Sequence, residues 1–317
     1  MNRILVTGAS GQSGSYLCEH LLVSDPDCTV DALIRPSGDD RLWRLANVRH
    51  NHRMGWVHGD ILEGRVATWI ANEHYDEVYH LAAMTHVMHS FDAPALAVET
   101  NATATIALMD ALYRWSRKTK FYFAATSEMF GGMVSPHAAN EDFQLGGHSP
   151  YAAAKIAAFV AARTYRERGL FVVNGIGFNH ESCRRGANFV TRKLGLGVRN
   201  FLTTGKPVIL GNITARRDWH HAKDTMRGAV LALRHTDPDD YVWASGVDRS
   251  VGNLVKEVCD YFGAYQNVIE VHPSEQRPWD VEYLRGDASK AKRVLGWEPQ
   301  ITWTQLIEDI CRPEGEL

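Results

Sequence analysis

Short apolar runs recur through the first 180 residues, separated by amphipathic stretches. Arg3 to Thr7, Val30 to Ile34, Trp56 to His58, Glu77 to Leu81, Phe121 to Ala125 and Phe171 to Gly175 each read as a buried strand. Strands apolar on both faces belong inside a parallel sheet covered by helices on either side, so the alternation predicts a doubly wound α/β fold. After Asn179 the rhythm loosens. Gly205-Lys206-Pro207, Gly211-Asn212 and Arg277-Pro278 punctuate shorter elements there, which predicts a smaller α/β substrate-binding lobe. The division falls at 1–178 and 179–317, with some exchange of chain between the lobes. No internal repeat, low-complexity tract or linker-like stretch separates the two, so close packing between them is expected.

Bulk properties narrow the class of function. The 317 residues exceed the usual single-domain length of about 150, in keeping with a large domain carrying an added lobe. A formal charge of -3 gives no electrostatic case for nucleic acid or an anionic membrane, which leaves small-molecule chemistry. Cys18, Cys28, Cys183, Cys259 and Cys311 are widely spaced and include no C-x-x-C pair, which fits reduced thiols in a cytoplasm. The N-terminus enters a strand without a secretory signal, and no apolar run approaches the roughly 18 residues of a membrane helix. A cytoplasmic protein with no membrane partner is expected.

Chemistry enters at Thr7-Gly8-Ala9-Ser10-Gly11-Gln12-Ser13-Gly14, between the first predicted strand and a helix. Glycines at 8, 11 and 14 let backbone approach a pyrophosphate, and a helix N-terminus presents N–H groups to it. This G-x-x-G-x-x-G spacing is a variant of the Rossmann loop. Three glycines could also merely make a tight turn, but strand, loop and helix come in the order that a dinucleotide requires. Arg35 ends the second strand, where an NAD enzyme would place a carboxylate, and arginine suits a 2′-phosphate, so NADP is favoured. Asp60, followed by Ile61, is placed to accept from an adenine amino group or to cap the next helix.

Tyr151 and Lys155 lie one helical turn apart, so the ammonium is expected to lower the phenol's pKa and make it a usable base. Upstream, Phe121-Tyr122-Phe123-Ala124-Ala125-Thr126-Ser127-Glu128 runs from a buried strand into polar residues at its carboxyl end. Strand alternation is expected to put Thr126 and Glu128 on one face, toward Tyr151. Capping the following turn is the plainer reading of Glu128.

With these residues in view, the chain closely resembles the GDP-mannose 4,6-dehydratases, a branch of the extended short-chain dehydrogenase/reductase family, over nearly its whole length. The segments are Thr7 to Gly14, His80-Leu81-Ala82-Ala83, Thr126-Ser127-Glu128-Met129-Phe130-Gly131, Ser149-Pro150-Tyr151-Ala152-Ala153-Ala154-Lys155 and the run from Phe178 to Lys193. Leu210-Gly211-Asn212 and Arg216-Arg217-Asp218-Trp219 resemble guanine- and diphosphate-contacting segments. The resemblance implies an internal redox cycle on a GDP-linked hexose, with Thr126, Glu128, Tyr151 and Lys155 catalytic. It implies cofactor contacts from Gly8, Gly11, Gln12, Ser13, Gly14, Arg35, Asp60, Ile61, Leu81, Ala82, Ala83, His180 and Arg185 besides the catalytic pair. For the sugar nucleotide it implies Thr85, Glu128, Asn179, Val190, Lys193, Leu210, Gly211, Asn212, Arg217, Arg277 and Asp280, with Glu282 an alternative for the ribose. A homodimer or homotetramer is implied as well.

Three departures stand out. Pro36 follows Arg35 where the family shows a second basic residue, Cys183 replaces a proline, and His148 replaces an arginine. Thr85, His86, His89 and His148 would line the sugar end, which keeps another GDP-sugar such as a GDP-heptose as an alternative substrate. A GDP-4-keto-6-deoxy-sugar reductase is the alternative activity, although Glu128 would then lack a task. A non-catalytic NADP-binding subunit is the alternative of another class, and the intact catalytic set speaks against it. His86-x-x-His89 offers two metal-ligand types without an evident third, so no metal is expected.

Overall fold

The computed structural model describes residues 2–35, 42–131, 137–273 and 279–316. Among them, seven strands form one parallel sheet: β1 (Asn2–Thr7), β2 (Cys28–Ile34), β3 (Met54–His58), β4 (Glu77–His80), β5 (Lys120–Thr126), β6 (Val172–Gly177) and β10 (Asp240–Trp243), in the order β10-β6-β5-β4-β1-β2-β3. Each strand that the apolar runs predict is present. The third begins two residues earlier than its apolar run, at Met54, and the sixth extends to Gly177.

Helices cover both faces, as parallel strands buried on two sides require. On one face, α2 (Gly64–Asn72), α5 (Ala104–Trp115) and α6 (Pro150–Glu167) pack on a cluster containing Leu5, Val78, Phe121, Phe123 and Val172. On the other, α1 (Gln12–Ser24) and α8 (Ala222–Arg234) cover Ile4, Val6, Val30, Tyr79, Tyr122 and Trp243. Both α8 and the edge strand β10 come from beyond residue 179, so the chain returns to the large sheet after leaving it.

The remaining elements build a third cluster. Strands β7 (Asn179–Glu181), β9 (Arg216–His221) and β11 (Asp248–Ser250) pair in the order β11-β9-β7, and β8 (Val208–Leu210) pairs with β12 (Ile269–Val271). Around them, α7 (Val190–Thr204), α9 (Val251–Phe262) and α11 (Trp303–Ile310) bury Leu194, Val198, Trp219, Leu254, Val258 and Ile310. Two short helices, α3 (Val87–Asp92) and α4 (Pro94–Val98), follow the loop after β4, and α10 (Ser289–Leu295) packs beside β10. The carboxyl ends of β1, β4, β5 and β6 open toward β7 and its neighbours, the position where parallel sheets hold ligands.

Candidate active site

Ser149 begins α6 by accepting a hydrogen bond from the Ala152 amide at 3.1 Å, and Pro150 occupies the first helical position. This cap sets the helix phase so that Tyr151 and Lys155 both face the sheet, 7% and 4% exposed. At the end of β5 the chain turns sharply. Thr126 Oγ1 accepts the Glu128 amide at 3.3 Å and initiates a 3-10 turn over Ser127–Phe130. Glu128 therefore stands on a turn, not on a strand, and the alternation expected from sequence does not orient it. Capping brings Thr126 and Glu128 together instead.

Thr126, Glu128 and Arg185 all act on the Tyr151 phenol. Burial pushes Tyr151 up to about 12, the Thr126 hydroxyl lowers it by hydrogen bonding to the phenolate form, Glu128 raises it and Arg185 lowers it. Lys155 is held from the sheet side. Its Nζ donates to the Ala124 carbonyl at 2.8 Å and lies 4.7 Å from the Phe123 ring centre, while burial pulls the ammonium down to about 7. The lysine is anchored to the sheet one helical turn from Tyr151, and the Arg185 charge also favours the phenolate.

Arg185 stands on the segment after β7. Its guanidinium covers the Phe189 ring at 3.6 Å and its Nε lies 3.2 Å from the Glu181 carboxylate. His86 meets Phe189 edge-on at 5.4 Å and His89 at 4.8 Å, while its Nδ1 accepts the His89 amide. Among the described residues, no group of three or more His, Cys, Asp or Glu side chains is arranged to hold a metal ion. Thr85 is exposed in the loop before them, and His148 stacks on Trp279 at 4.5 Å.

The glycine loop is held by a chain of directional bonds. Gly8 adopts φ +68°, which favours glycine, and its carbonyl accepts the Gly11 amide at 2.9 Å. A side chain at Gly14 would collide with that carbonyl, so α1 can begin this close to the loop only with glycine there. Gly11 caps α1 without a side-chain acceptor, so the first-turn amides of Gln12, Ser13 and Gly14 suit an anionic ligand. Thr7 Oγ1 accepts the Leu81 and Ala82 amides, both at 3.1 Å, and its hydroxyl then donates to His80 Nδ1 at 3.0 Å. His80 Nε2 donates in turn to Thr105, and burial together with Lys155 lowers the imidazole to about 3. A neutral, fixed histidine thus ties β1 to the Leu81-Ala82-Ala83 loop, a role not evident from the motif alone.

His180 is fixed in the same manner. Nδ1 donates to the Phe178 carbonyl at 2.9 Å, so Nε2 accepts from Ser13 at 3.1 Å, and burial followed by the Arg185 charge lowers the ring to about 4. Gln12 donates to the His180 carbonyl at 2.9 Å and accepts from Ser182 at 2.8 Å. Asp309 of α11 accepts the Cys183 amide at 2.8 Å and the His221 ring at 3.1 Å. A proline at 183 would have no amide to give. Asp60 uses one carboxylate oxygen to accept the Leu62 amide at 3.0 Å, with Ile61 packed on the core beside it, and Arg35 is exposed directly after β2.

Of the residues expected at the sugar nucleotide, three converge. Asp280 accepts from Arg217 at 3.0 Å and from Asn212 at 3.2 Å, beside Leu210 and Gly211 at the end of β8. Asn179 opens β7, and Val190 and Lys193 occupy the first turn of α7. Arg277 lies outside the described residues. The Asp218 carboxylate, fully buried beside Arg217, was not singled out as a site residue. It accepts from the Ser245 amide (2.8 Å) and hydroxyl (2.6 Å) and from the Gly246 (2.9 Å) and Gly286 (3.2 Å) amides.

The profile of the family described as GDP-mannose 4,6 dehydratase matches residues 5–310. A GDP-mannose 4,6 dehydratase of Arabidopsis thaliana is 38% identical over 99% of this chain and 87% of its own length. The human protein of the same name is 34% identical over 100% of this chain and 92% of its own. Among solved structures, the dTDP-glucose 4,6-dehydratase of Streptomyces venezuelae with NAD and TYD bound superposes with a TM-score of 0.85 at 26% identity, covering 96% of each chain.

Proposed function

The chain belongs to the GDP-mannose 4,6-dehydratase family, and from that membership we propose the function of its site: conversion of GDP-mannose to GDP-4-keto-6-deoxymannose with loss of water. It is a lyase of the hydro-lyase class that uses a nicotinamide cofactor. The observation that carries this reading is the convergence of Thr126, Glu128, Tyr151 and Lys155 at the carboxyl end of β5, next to the glycine loop.

The fit to a dinucleotide rests on the uncapped first turn of α1 and the close approach that Gly8 and Gly14 permit. Gly8, Gly11, Gln12, Ser13 and Gly14 would hold the pyrophosphate, Asp60 and Ile61 the adenine, and Leu81, Ala82, Ala83, Tyr151, Lys155, His180 and Arg185 the nicotinamide half. Arg35 favours NADP. When bound, a nicotinamide would supply a reversible hydride acceptor, which lets the hydrogen lost at carbon 4 be regained at carbon 6.

Everything else falls to the chain's own groups. Tyr151 acts as the phenolate, which Thr126 and Arg185 favour against burial and Lys155 assists: its Oη removes the proton of the carbon-4 hydroxyl and becomes the phenol, and the proton gained there balances the one carbon 5 takes up as hydride reaches carbon 6. The ketone at carbon 4 acidifies the hydrogen on carbon 5. The Glu128 carboxylate removes that proton and returns it to the carbon-6 hydroxyl, which leaves as water. Arg217, Asn212 and Asp280 form the nucleotide end, with Asn179, Val190, Lys193, Leu210 and Gly211 around the GDP moiety, and Thr85 at the sugar. The five described cysteines are free and buried, in keeping with a cytoplasmic setting.

Incubation with GDP-mannose and catalytic NADP tests the reading. A 4-keto-6-deoxy product should accumulate with no net change in NADPH, and Tyr151→Phe should abolish it. NADPH consumed in proportion to product would point instead to a reductase.

A further inference from the structure

Arg35 is a single cation followed by Pro36, which cannot supply a second. A phosphate monoester dianion is held most firmly by two guanidinium groups, each able to present paired donors. A second guanidinium reaches the glycine loop. Arg44 belongs to a 3-10 turn over Leu42–Leu45, and its Nη1 donates to the Ser10 carbonyl at 3.2 Å, inside the loop itself. That turn is a fixed platform. Leu45 and Val48 are buried in the cluster that also contains Leu17 and Leu21 of α1, and Asn47 donates to Glu19 of the same helix at 3.0 Å. The Arg44 guanidinium also lies 5.1 Å from the Trp43 ring centre, which limits its swing. The register Thr7↔Leu33 places the end of β2, and hence Arg35, alongside the start of the same loop.

In a dinucleotide fold the adenosine ribose occupies the crevice between the glycine loop and the end of the second strand. We propose that Arg44 is a specificity-determining residue for the cofactor, closing with Arg35 on a 2′-phosphate and supplying the charge that Pro36 does not. This rests on the NADP reading above and adds a residue to it. A prop for the loop would be the plainer role of Arg44, and the two roles separate cleanly. A prop serves NAD and NADP equally, whereas a phosphate ligand serves NADP alone.

Calorimetric titration of NADP and NAD into wild type, R44Q, R44K and R35Q distinguishes them. R44Q should weaken NADP by about 10- to 100-fold, the range of a lost charge-assisted contact, with NAD unchanged. R44K keeps the charge without the fork and should fall between wild type and R44Q, and the salt dependence of NADP binding should diminish in R44Q. Parallel weakening of NAD and NADP in R44Q, or undiminished NADP affinity in both Arg44 variants, would overturn the proposal. If wild type itself bound NADP no more tightly than NAD, the NADP reading would fall first. R44K serves as the check should R44Q fold poorly.

Discussion

Replacing Asp218 by Asn separates binding of the sugar nucleotide from the chemistry. The carboxylate is fully buried and takes four hydrogen bonds. Oδ1 accepts the amide and hydroxyl of Ser245, and Oδ2 accepts the Gly246 and Gly286 amides at 2.9 and 3.2 Å. An asparagine is nearly the same shape, but whichever way it turns, its NH₂ group points at N–H donors. With its oxygen left on Ser245, two backbone amides lose their acceptor, at roughly 1–3 kcal/mol each. Removing the charge returns part of this, because burial already pushes the Asp218 carboxyl above its usual range. A net loss of about 3 kcal/mol is expected, and for a chain of this size a fall in Tm of roughly 5–10 °C. The damage should be local to the nucleotide end. Arg217 neighbours Asp218 in β9, and the segment leading to Gly286, which contains Asp280, meets β9 through an isolated bridge between Tyr283 and Arg216. Asp218→Asn should therefore raise KM for GDP-mannose about tenfold or more, while kcat at saturation stays within about threefold and NADP affinity is unchanged. Thermal denaturation with steady-state kinetics measures all of these. An unchanged Tm together with an unchanged KM would refute the reasoning, as would a fall in kcat with KM intact.

Two further outcomes follow from the cofactor side. Gly14→Ala places a methyl against the Gly8 carbonyl and 2.6 Å from the Ala9 Cα, so the loop must shift, and NADP affinity should drop at least about tenfold in a binding titration; wild-type affinity would contradict the tight approach. Lys155 has a folded pKa of about 7 against an ordinary 10.5, so the unfolded chain binds more protons between those values and stability rises with pH across that window. Denaturant unfolding of the cofactor-free protein should show wild type gaining on Lys155→Met by a few kcal/mol from pH 7 to 10, with the difference constant below pH 7; a flat difference over pH 7 to 10 would show that burial does not penalise the ammonium.

Local pattern was enough to read much of this protein. Apolar runs identify the strands because a parallel strand must be apolar on both faces wherever the chain goes next. The glycine loop and the Ser149-Pro150 start of α6 were likewise legible, since caps and close approaches depend on neighbours within a few residues. Where local rules compete, sequence alone misled. Alternation suggested a shared face for Thr126 and Glu128, whereas the Thr126 hydroxyl captures the Glu128 amide and ends the strand. One-turn spacing aligns Lys155 with Tyr151, but it contains neither the hold of the Ala124 carbonyl on Nζ nor the Arg185 charge that reaches the phenol. Desolvation and charge at a distance belong to the packed environment, and no spacing rule contains them. Closure of the chain alone brings Arg44 to Ser10, Arg217 and Asn212 to Asp280, and β10 to β6. The sequence by itself determined which elements form and which chemistry they carry; tertiary structure decided which charges meet, because contacts between distant residues and the loss of water around them exist only once the chain has folded.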